Sequence, residues 1–370
     1  MSHIVGIRLE NFGGIHAFEA GKLLGNENKQ ISDFLETNGH GEFSDFLLVN
    51  GHREYIEALK VFFAFLHDFL LTDAASAIEI WKQYALPIPV GESISAKICV
   101  RLDGKKELVQ YELLLRESVT TGRLAKSETI YQQEEEEYTH RVLKIERGLL
   151  RLNQNGNGWQ EPTPDYEGDE YTSILANGKA DAYAPDIMPA LREFLFSYFP
   201  FDFHPREWSN SMYFGEQTPL LTRDGRNLAC VAMYWRLVAT TTGDHRDFWA
   251  ENYFVSSRIV PNIGARELVF SSTLDGRAKS ISDVPLFSVK LFAYRLLIRH
   301  ANLYGNIFLY HPENGLSEEQ ESKLLLKLLT LYKSMKGEGA ALPQVWVFTS
   351  FAPKGSPEWD HNSVLTMRKE

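Results

Sequence analysis

The chain has 370 residues, with 49 Asp and Glu against 38 Lys and Arg, so its formal net charge at pH 7 is −11. Hydrophobic residues make up 44% of the chain and aromatic residues 12%, which suffices for a sizeable core and excludes disorder as the main state. The length allows about two domains, and the acidic charge argues against indiscriminate nucleic-acid binding.

Two features predict a cytoplasmic protein. Residues 1–12 carry Arg8 and Glu10 where a signal peptide needs an apolar run, and no window approaches the roughly 18 apolar residues of a transmembrane helix. The two cysteines, Cys99 and Cys230, are too few for a disulfide framework or a structural zinc site. We therefore expect no membrane attachment and no bound metal.

Hydrophobic periodicity predicts the secondary structure of the first half. Alternating apolar residues indicate a strand over 4–12, and three- and four-residue spacing indicates an amphipathic helix over 55–71. Alternation then predicts four further strands, at 94–102, 109–115, 128–132 and 141–146. Residues 153–182 are rich in Asn, Gly, Asp and Pro, which predicts a long surface loop.

The second half combines helical spacing with short apolar runs. Helices are expected near 191–198 and 228–238. A helix, an apolar run, a second helix and a second apolar run then follow one another, at 286–300, 307–310, 317–335 and 345–348. Short continuous apolar runs are typical of strands covered on both faces, so this order predicts an α/β arrangement. No sustained heptad occurs, which excludes a long coiled coil.

A glycine-bearing segment precedes the 55–71 helix, where a phosphate-binding loop would lie. It consists of Asn38, Gly39, His40, Gly41, Glu42 and Phe43. In the loop G-x-x-x-x-G-K-[ST], glycine amides cradle phosphates, the Lys neutralises them and the hydroxyl holds magnesium. Glu42 stands at the Lys position here and Phe43 at the hydroxyl position. Because Asn-Gly is also a strong turn former, an ordinary turn is an open alternative.

A competing placement of the same loop lies directly before the helix. It consists of Asn50, Gly51, His52 and Arg53 and follows the apolar residues 46–49. In this placement His52 takes the Lys position and Arg53 the hydroxyl position. The essential Lys and hydroxyl are missing in either case, and the sequence leaves both placements open.

On these residues the chain resembles the SMC/RecF-like branch of the ABC-type ATPases. Compact members begin with a strand ending in Asn-Phe, as Asn11 and Phe12 do here, and later run a strand into an N-G-x-G-K loop. Three further family motifs recur in order. The S-D-G signature is mirrored by Ser282, Asp283 and Val284. The acidic pair and the P-E-N-x-L motif that follows it are mirrored by Tyr310, His311 and Glu313. Ser350 replaces the switch histidine.

The resemblance implies an α/β fold, an ABC-type (RecF/SMC-like) P-loop NTPase head with a mixed-sheet core and an inserted α+β lobe. Residues 1–90 and 271–370 would form the two halves of the ATPase-like core. Residues 91–270 would form the inserted lobe, which is rich in strands and also helical.

The departures from the family pattern remove the chemistry of hydrolysis. Glu42 reverses the sign of a contact worth roughly 4 kcal/mol for unit charges about 4 Å apart at an effective dielectric constant of about 20. Tyr310 and His311 replace the carboxylates that would hold Mg²⁺ and orient the attacking water, and Val284 adds a side chain to the signature. We therefore expect a degenerate ATPase that acts as an interaction or regulatory module without a cofactor.

The expected partner is a protein, either a second copy of the chain or an active ATPase or nuclease. The resemblance implies a setting in DNA repair, chromosome maintenance or phage defence. A nucleic-acid partner would need a local basic patch, and the acidic net charge does not support one. The alternative function is an ATP-binding protein that holds phosphate through backbone amides and hydrolyses ATP slowly with His311 as the base, in which case ATP and Mg²⁺ would be its ligands.

Overall fold

The computed structural model describes a mixed α/β protein with several sheets and few helices. The described residues are 1–13, 15–24, 42–71, 93–105, 107–117, 124–133, 141–146, 149–154, 173–176, 178–204, 211–213, 218–242, 248–260, 265–350, 359 and 363–367. The chain divides into two compact units, Met1–Tyr198 with Trp359–Glu370, and Phe199–Glu358. The predicted boundary at 90/91 falls inside the first unit, and the predicted three-part division stays a prediction.

The described elements are runs of strands separated by single helices. The strands are β1 (His3–Phe12), β2 (Ile15–Gly21), β3 (Phe46–Gly51), β4 (Ser93–Arg101), β5 (Leu108–Glu117), β6 (Leu124–Gln133), β7 (Arg141–Glu146), β8 (Leu149–Gln154), β9 (Tyr198–Asp202), β10 (Ser211–Tyr213), β11 (Trp249–Ala250), β12 (Tyr253–Val260), β13 (Ala265–Ser272), β14 (Ala278–Lys279), β15 (Asn306–Tyr310), β16 (Val345–Thr349) and β17 (Val364–Met367). The helices are α1 (Arg53–Leu71), α2 (Met188–Phe196), α3 (Leu228–Thr242), α4 (Leu286–Arg299) and α5 (Glu318–Gly337).

A seven-stranded antiparallel sheet dominates the first unit, in the order β2-β1-β4-β5-β6-β7-β8. The alternation in β1 buries Ile7 and Leu9 completely, and Ile7 lies opposite Ile98 of β4. The five strands predicted by alternation are confirmed. The first of them belongs to the same sheet as the later four, because β1 pairs with β4 across a long stretch of sequence.

The first unit also contains a parallel strand pair and the helix α1. β3 pairs with β17 in parallel, Leu48 lying opposite Val364. α1 follows β3 and confirms the predicted amphipathic helix, with an apolar face that buries Leu59 and Phe62. The Phe62 ring packs edge-on against Phe12 of β1, with ring centroids 5.3 Å apart.

The second unit contains a crossover from strand to helix to parallel strand. β15 and β16 pair in parallel and every residue of both is buried, as the predicted apolar runs require. α5 connects them, and its start is fixed by a capping box between Ser317 and Gln320. A separate antiparallel sheet in the order β10-β13-β12-β11 lies in the same unit, and β14 pairs with β13.

The predicted surface loop over 153–182 is wrong in its described parts. Residues 149–154 form β8, residues 178–182 form a short 3₁₀ helix, and Ser173, Ile174 and Leu175 are fully buried. The physical reason is the buried Glu128 carboxylate, which accepts hydrogen bonds from the Ser173 hydroxyl and the Ile174 amide. Composition alone did not reveal this anchor.

No helix in the described ranges is long and apolar enough to span a bilayer.

Candidate functional site

The first placement of the phosphate loop is described only at its last two residues. Asn38, Gly39, His40 and Gly41 lie outside the described residues. The Glu42 carboxylate lies 3.3 Å from Lys22 Nζ and 3.3 Å from Arg101 Nε. Phe43 is buried, and its amide donates to the Val5 carbonyl at 3.4 Å.

These contacts give Glu42 a structural role. Partial burial raises the pKa of this carboxyl, but the hydrogen bonds and charges of Arg101 and Lys22 hold it below its usual value. The carboxylate therefore stays ionised at neutral pH and is committed to two cations. Phe43 has its ring in the core, where it cannot ligate magnesium.

The second placement lies between a strand and a helix, as a phosphate loop must. β3 ends at Gly51 and α1 begins at Arg53, so His52 is the whole connection. The His52 carbonyl accepts the Tyr55 amide at 3.0 Å, which starts the helix immediately. A loop with four residues between its glycines needs more chain than this. Asn50 is buried at the end of β3, and His52 and Arg53 are exposed.

The three residues predicted to mirror the signature motif lie just before α4. Ser282 and Asp283 are exposed on a short 3₁₀ helix, Ile281–Asp283, and Val284 ends it with its side chain buried. The Val284 amide donates to the Ile281 carbonyl at 3.4 Å. Val284 therefore packs inward as a core residue.

Tyr310, which the sequence predicts at the position of the first Walker B acid, belongs to the hydrophobic core. Tyr310 is the last residue of β15, is fully buried, and stacks on Phe348 of β16 with ring centroids 4.7 Å apart. An aromatic ring packed in this way offers no carboxylate oxygen to a cation.

Three other predicted residues are brought together at the carboxyl ends of β15 and β16. The Ser350 hydroxyl and amide donate to Glu313 Oε1 at 3.0 and 3.2 Å, and His311 Nδ1 lies 3.3 Å from the same oxygen. Burial raises the pKa of Glu313, but these hydrogen bonds bring it below its usual value. His311 has φ 50°, a left-handed backbone conformation that costs a non-glycine residue free energy.

In this arrangement the Glu313 carboxylate orients the His311 imidazole, and the Ser350 hydroxyl donates to that carboxylate and not to the imidazole. Ser350 and His311 both bind Glu313, so the geometry is not that of a serine nucleophile activated by a histidine base. Within the described ranges, no group of three or more His, Cys, Asp or Glu could hold a metal ion.

Sequence reasoning missed the charged residues around this turn. Lys290 of α4 is fully buried and donates to the Pro312 carbonyl at 2.9 Å and to the Asn314 carbonyl at 2.7 Å. Glu321 of α5 accepts a hydrogen bond from the Thr349 hydroxyl, and burial raises its pKa to about 7. The available signal was a lysine in an otherwise apolar stretch of the 286–300 helix.

No family model and no curated protein matches the chain. Among solved structures, it is similar to the Smc head domain with an extended coiled coil, bound to the C-terminal domain of ScpA, from Pyrococcus furiosus. The TM-score is 0.40 and the identity 8%, over 94% of this chain and 90% of that chain. The likeness is weak and distant.

Proposed function

We propose that this protein is a degenerate relative of the RecF/SMC-type P-loop ATPases that acts as an interaction or regulatory module and does not hydrolyse ATP. The observation that carries the proposal is Tyr310, a fully buried residue stacked on Phe348 at the position where an ATPase holds its magnesium carboxylate. Phosphoryl transfer depends on that metal to neutralise developing charge.

The connection between β3 and α1 supports the same conclusion. His52 alone joins the two elements, which leaves no backbone loop to surround a triphosphate. Glu42, the residue of the first placement at the Lys position, already binds Arg101 and Lys22. Glu42 therefore presents no cation to a phosphate, and the single connecting residue His52 leaves no amide cradle in the second placement.

The deciding experiment is calorimetric titration of the protein with ATP and Mg²⁺, with a phosphate-release assay on the same sample. We expect neither heat of binding nor released phosphate, and an active ATPase serves as the control. Saturable binding near micromolar affinity, about −8 kcal/mol, would contradict the proposal.

The alternative, slow hydrolysis with His311 as base, is favoured by one observation. The Glu313 carboxylate lies 3.3 Å from His311 Nδ1 and can orient the imidazole. Under this alternative His311→Ala abolishes residual phosphate release, whereas His16→Ala, at an exposed position outside both loop placements, leaves it unchanged. Equal release from both variants would remove the alternative.

The partner of the interaction module is proposed to be a protein, with self-association as one form. The DNA repair or phage-defence setting follows from the resemblance alone. Sedimentation velocity over a hundredfold concentration range tests self-association directly. A monomer throughout that range would assign the interaction to a different protein.

A further inference from the structure

The turn that follows β15 is held by a buried lysine. Lys290 has no exposed surface, and its ammonium donates to two carbonyls of this turn, those of Pro312 and Asn314. The two distances, 2.9 and 2.7 Å, are those of strong hydrogen bonds. One side chain from α4 thus connects to both sides of Glu313.

Acidic groups from three elements of the second unit act on the same ammonium. Glu313 lies in the turn, Asp202 ends β9 and Glu321 lies in the first turn of α5, and each favours the charged form of Lys290. Glu313 Oε2 and Glu321 Oε2 are buried and have no hydrogen-bond partner within the described residues. Buried carboxylate oxygens without donors are costly unless a positive charge lies nearby.

We propose that Lys290 serves as a built-in cation that holds residues 311–316 in place without nucleotide or metal. In a nucleotide-dependent protein a bound Mg²⁺ ion would supply positive charge at such a turn; here the Lys290 ammonium supplies it. The proposal goes beyond the proposed function, since it concerns how the turn is held and not whether ATP is hydrolysed. Because Lys290 positions His311 and Glu313 through the turn, it is a positioning residue.

The charge state of the lysine is compatible with this role. Burial lowers the pKa of Lys290 to about 8, and the charges of Glu313, Asp202 and Glu321 oppose that fall. The ammonium is therefore predominantly charged at pH 7. It has three donors, of which two bind the turn carbonyls.

The first arm of the test uses the unmodified protein. Amide hydrogen exchange, read by mass spectrometry, measures the protection of the peptide covering 311–316 with and without Mg²⁺ and ATP. We expect the same protection in both conditions. A turn that exchanges freely and gains protection only with Mg²⁺ or ATP would overturn the proposal.

The second arm uses variants at the clamp, by which we mean the Lys290 ammonium and the Pro312 and Asn314 carbonyls that it binds. Lys290→Met removes the charge and the donors at similar length, and it should speed exchange of 311–316 by about tenfold or more and lower the urea midpoint. Adding Glu321→Gln removes one of the acids that Lys290→Met leaves without a cation. The urea midpoint of the double variant should therefore lie above that of Lys290→Met. Lys333→Met, at an exposed position on α5, is the matched control and should leave both readings unchanged.

Each outcome of the second arm decides the matter. Unchanged protection in Lys290→Met would overturn the proposal, as would a double variant that is no more stable than Lys290→Met. Should Lys290→Met fail to fold, recovery of folding in the double variant supports the clamp, and the first arm stands independently. Nucleotide binding seen by calorimetry with unaltered turn protection would contradict the proposed function while leaving the clamp intact.

Discussion

Tyr310 stacks on Phe348 across the parallel pair β15 and β16, with their rings inclined by only 22°. This contact joins the two strands whose carboxyl ends carry the candidate site. Tyr310 is fully buried and contributes its ring to the packing of the core. The stability of the second unit therefore depends on this side chain.

An acid introduced at the Tyr310 position should destabilise the fold and should not produce ATP hydrolysis. We expect Tyr310→Asp to lower the free energy of unfolding by about 3–5 kcal/mol, because it removes a large buried ring and buries a carboxylate. Tyr310→Phe is the matched control and should cost at most about 1.5 kcal/mol. Urea unfolding measures both, and a stable Tyr310→Asp variant that releases phosphate from ATP would contradict the assignment.

Glu128 should be among the most sensitive positions of the first unit. Its carboxylate is fully buried 3.2 Å from Lys126 Nζ and also accepts the Tyr111 hydroxyl at 2.6 Å. Glu128→Gln leaves the lysine charge buried and should cost about 3–5 kcal/mol.

The control for Glu128 is a more exposed ion pair on the same sheet. Arg8 and Glu19 lie opposite each other on β1 and β2, 3.1 Å apart and partly exposed, so Glu19→Gln should cost less than about 1 kcal/mol. Both variants are compared by urea midpoint. Equal losses of stability in the two variants would mean that burial does not determine how strongly these ion pairs stabilise the protein.

Gly51 should tolerate no side chain. A Cβ at this position would meet the Met367 carbonyl oxygen at 2.5 Å, in the parallel partner strand. Gly51→Ala should therefore destabilise the protein by about 1–3 kcal/mol. Gly337→Ala, where nothing lies within 4 Å, should be neutral or slightly stabilising. Thermal unfolding of the two variants, side by side, tests the difference.

The pH dependence of stability should carry the signature of Glu321. Burial raises its pKa from 4.5 to about 7, so between these values the folded chain binds more protons than the unfolded chain. Stability should therefore fall as pH rises through this window, by up to about 3 kcal/mol from this group.

Glu321→Gln mimics the protonated form and should remove that fall in stability. Glu319→Gln, at an exposed position two residues earlier on α5, should retain it. The measurement is the urea midpoint at half-unit steps from pH 4.5 to 7.5. A wild-type midpoint that rises over this range, or an unchanged slope in Glu321→Gln, would contradict the prediction.

Local sequence patterns were enough to predict the elements that position the site. The apolar runs at 307–310 and 345–348 match β15 and β16 because each strand is covered on both faces, and the spacing at 55–71 matches α1 because one stripe of it is buried. These patterns depend on burial along a single element, which a single sequence records directly.

Partnerships between distant elements were beyond the sequence. The pairing of β1 with β4 depends on register across the intervening helix, and nothing local in either strand specifies it. The Lys290 contacts could not be found either, since their acceptors are backbone carbonyls, which every residue has. The sequence places Asn50, Gly51, His52 and Arg53 directly before the helix, but only the structure showed that His52 alone connects β3 to α1.

The pairing of β17 with β3 sets the order in which the protein can be completed. During synthesis β3 leaves the ribosome about 300 residues before the strand that will lie beside it, and closing so long a loop carries an entropic cost. The crossover from β15 through α5 to β16 is contiguous and can form from local contacts. Until β17 emerges, the edge of β3 that it will cover lacks that partner, and an open strand edge is a place where a nascent chain can pair wrongly.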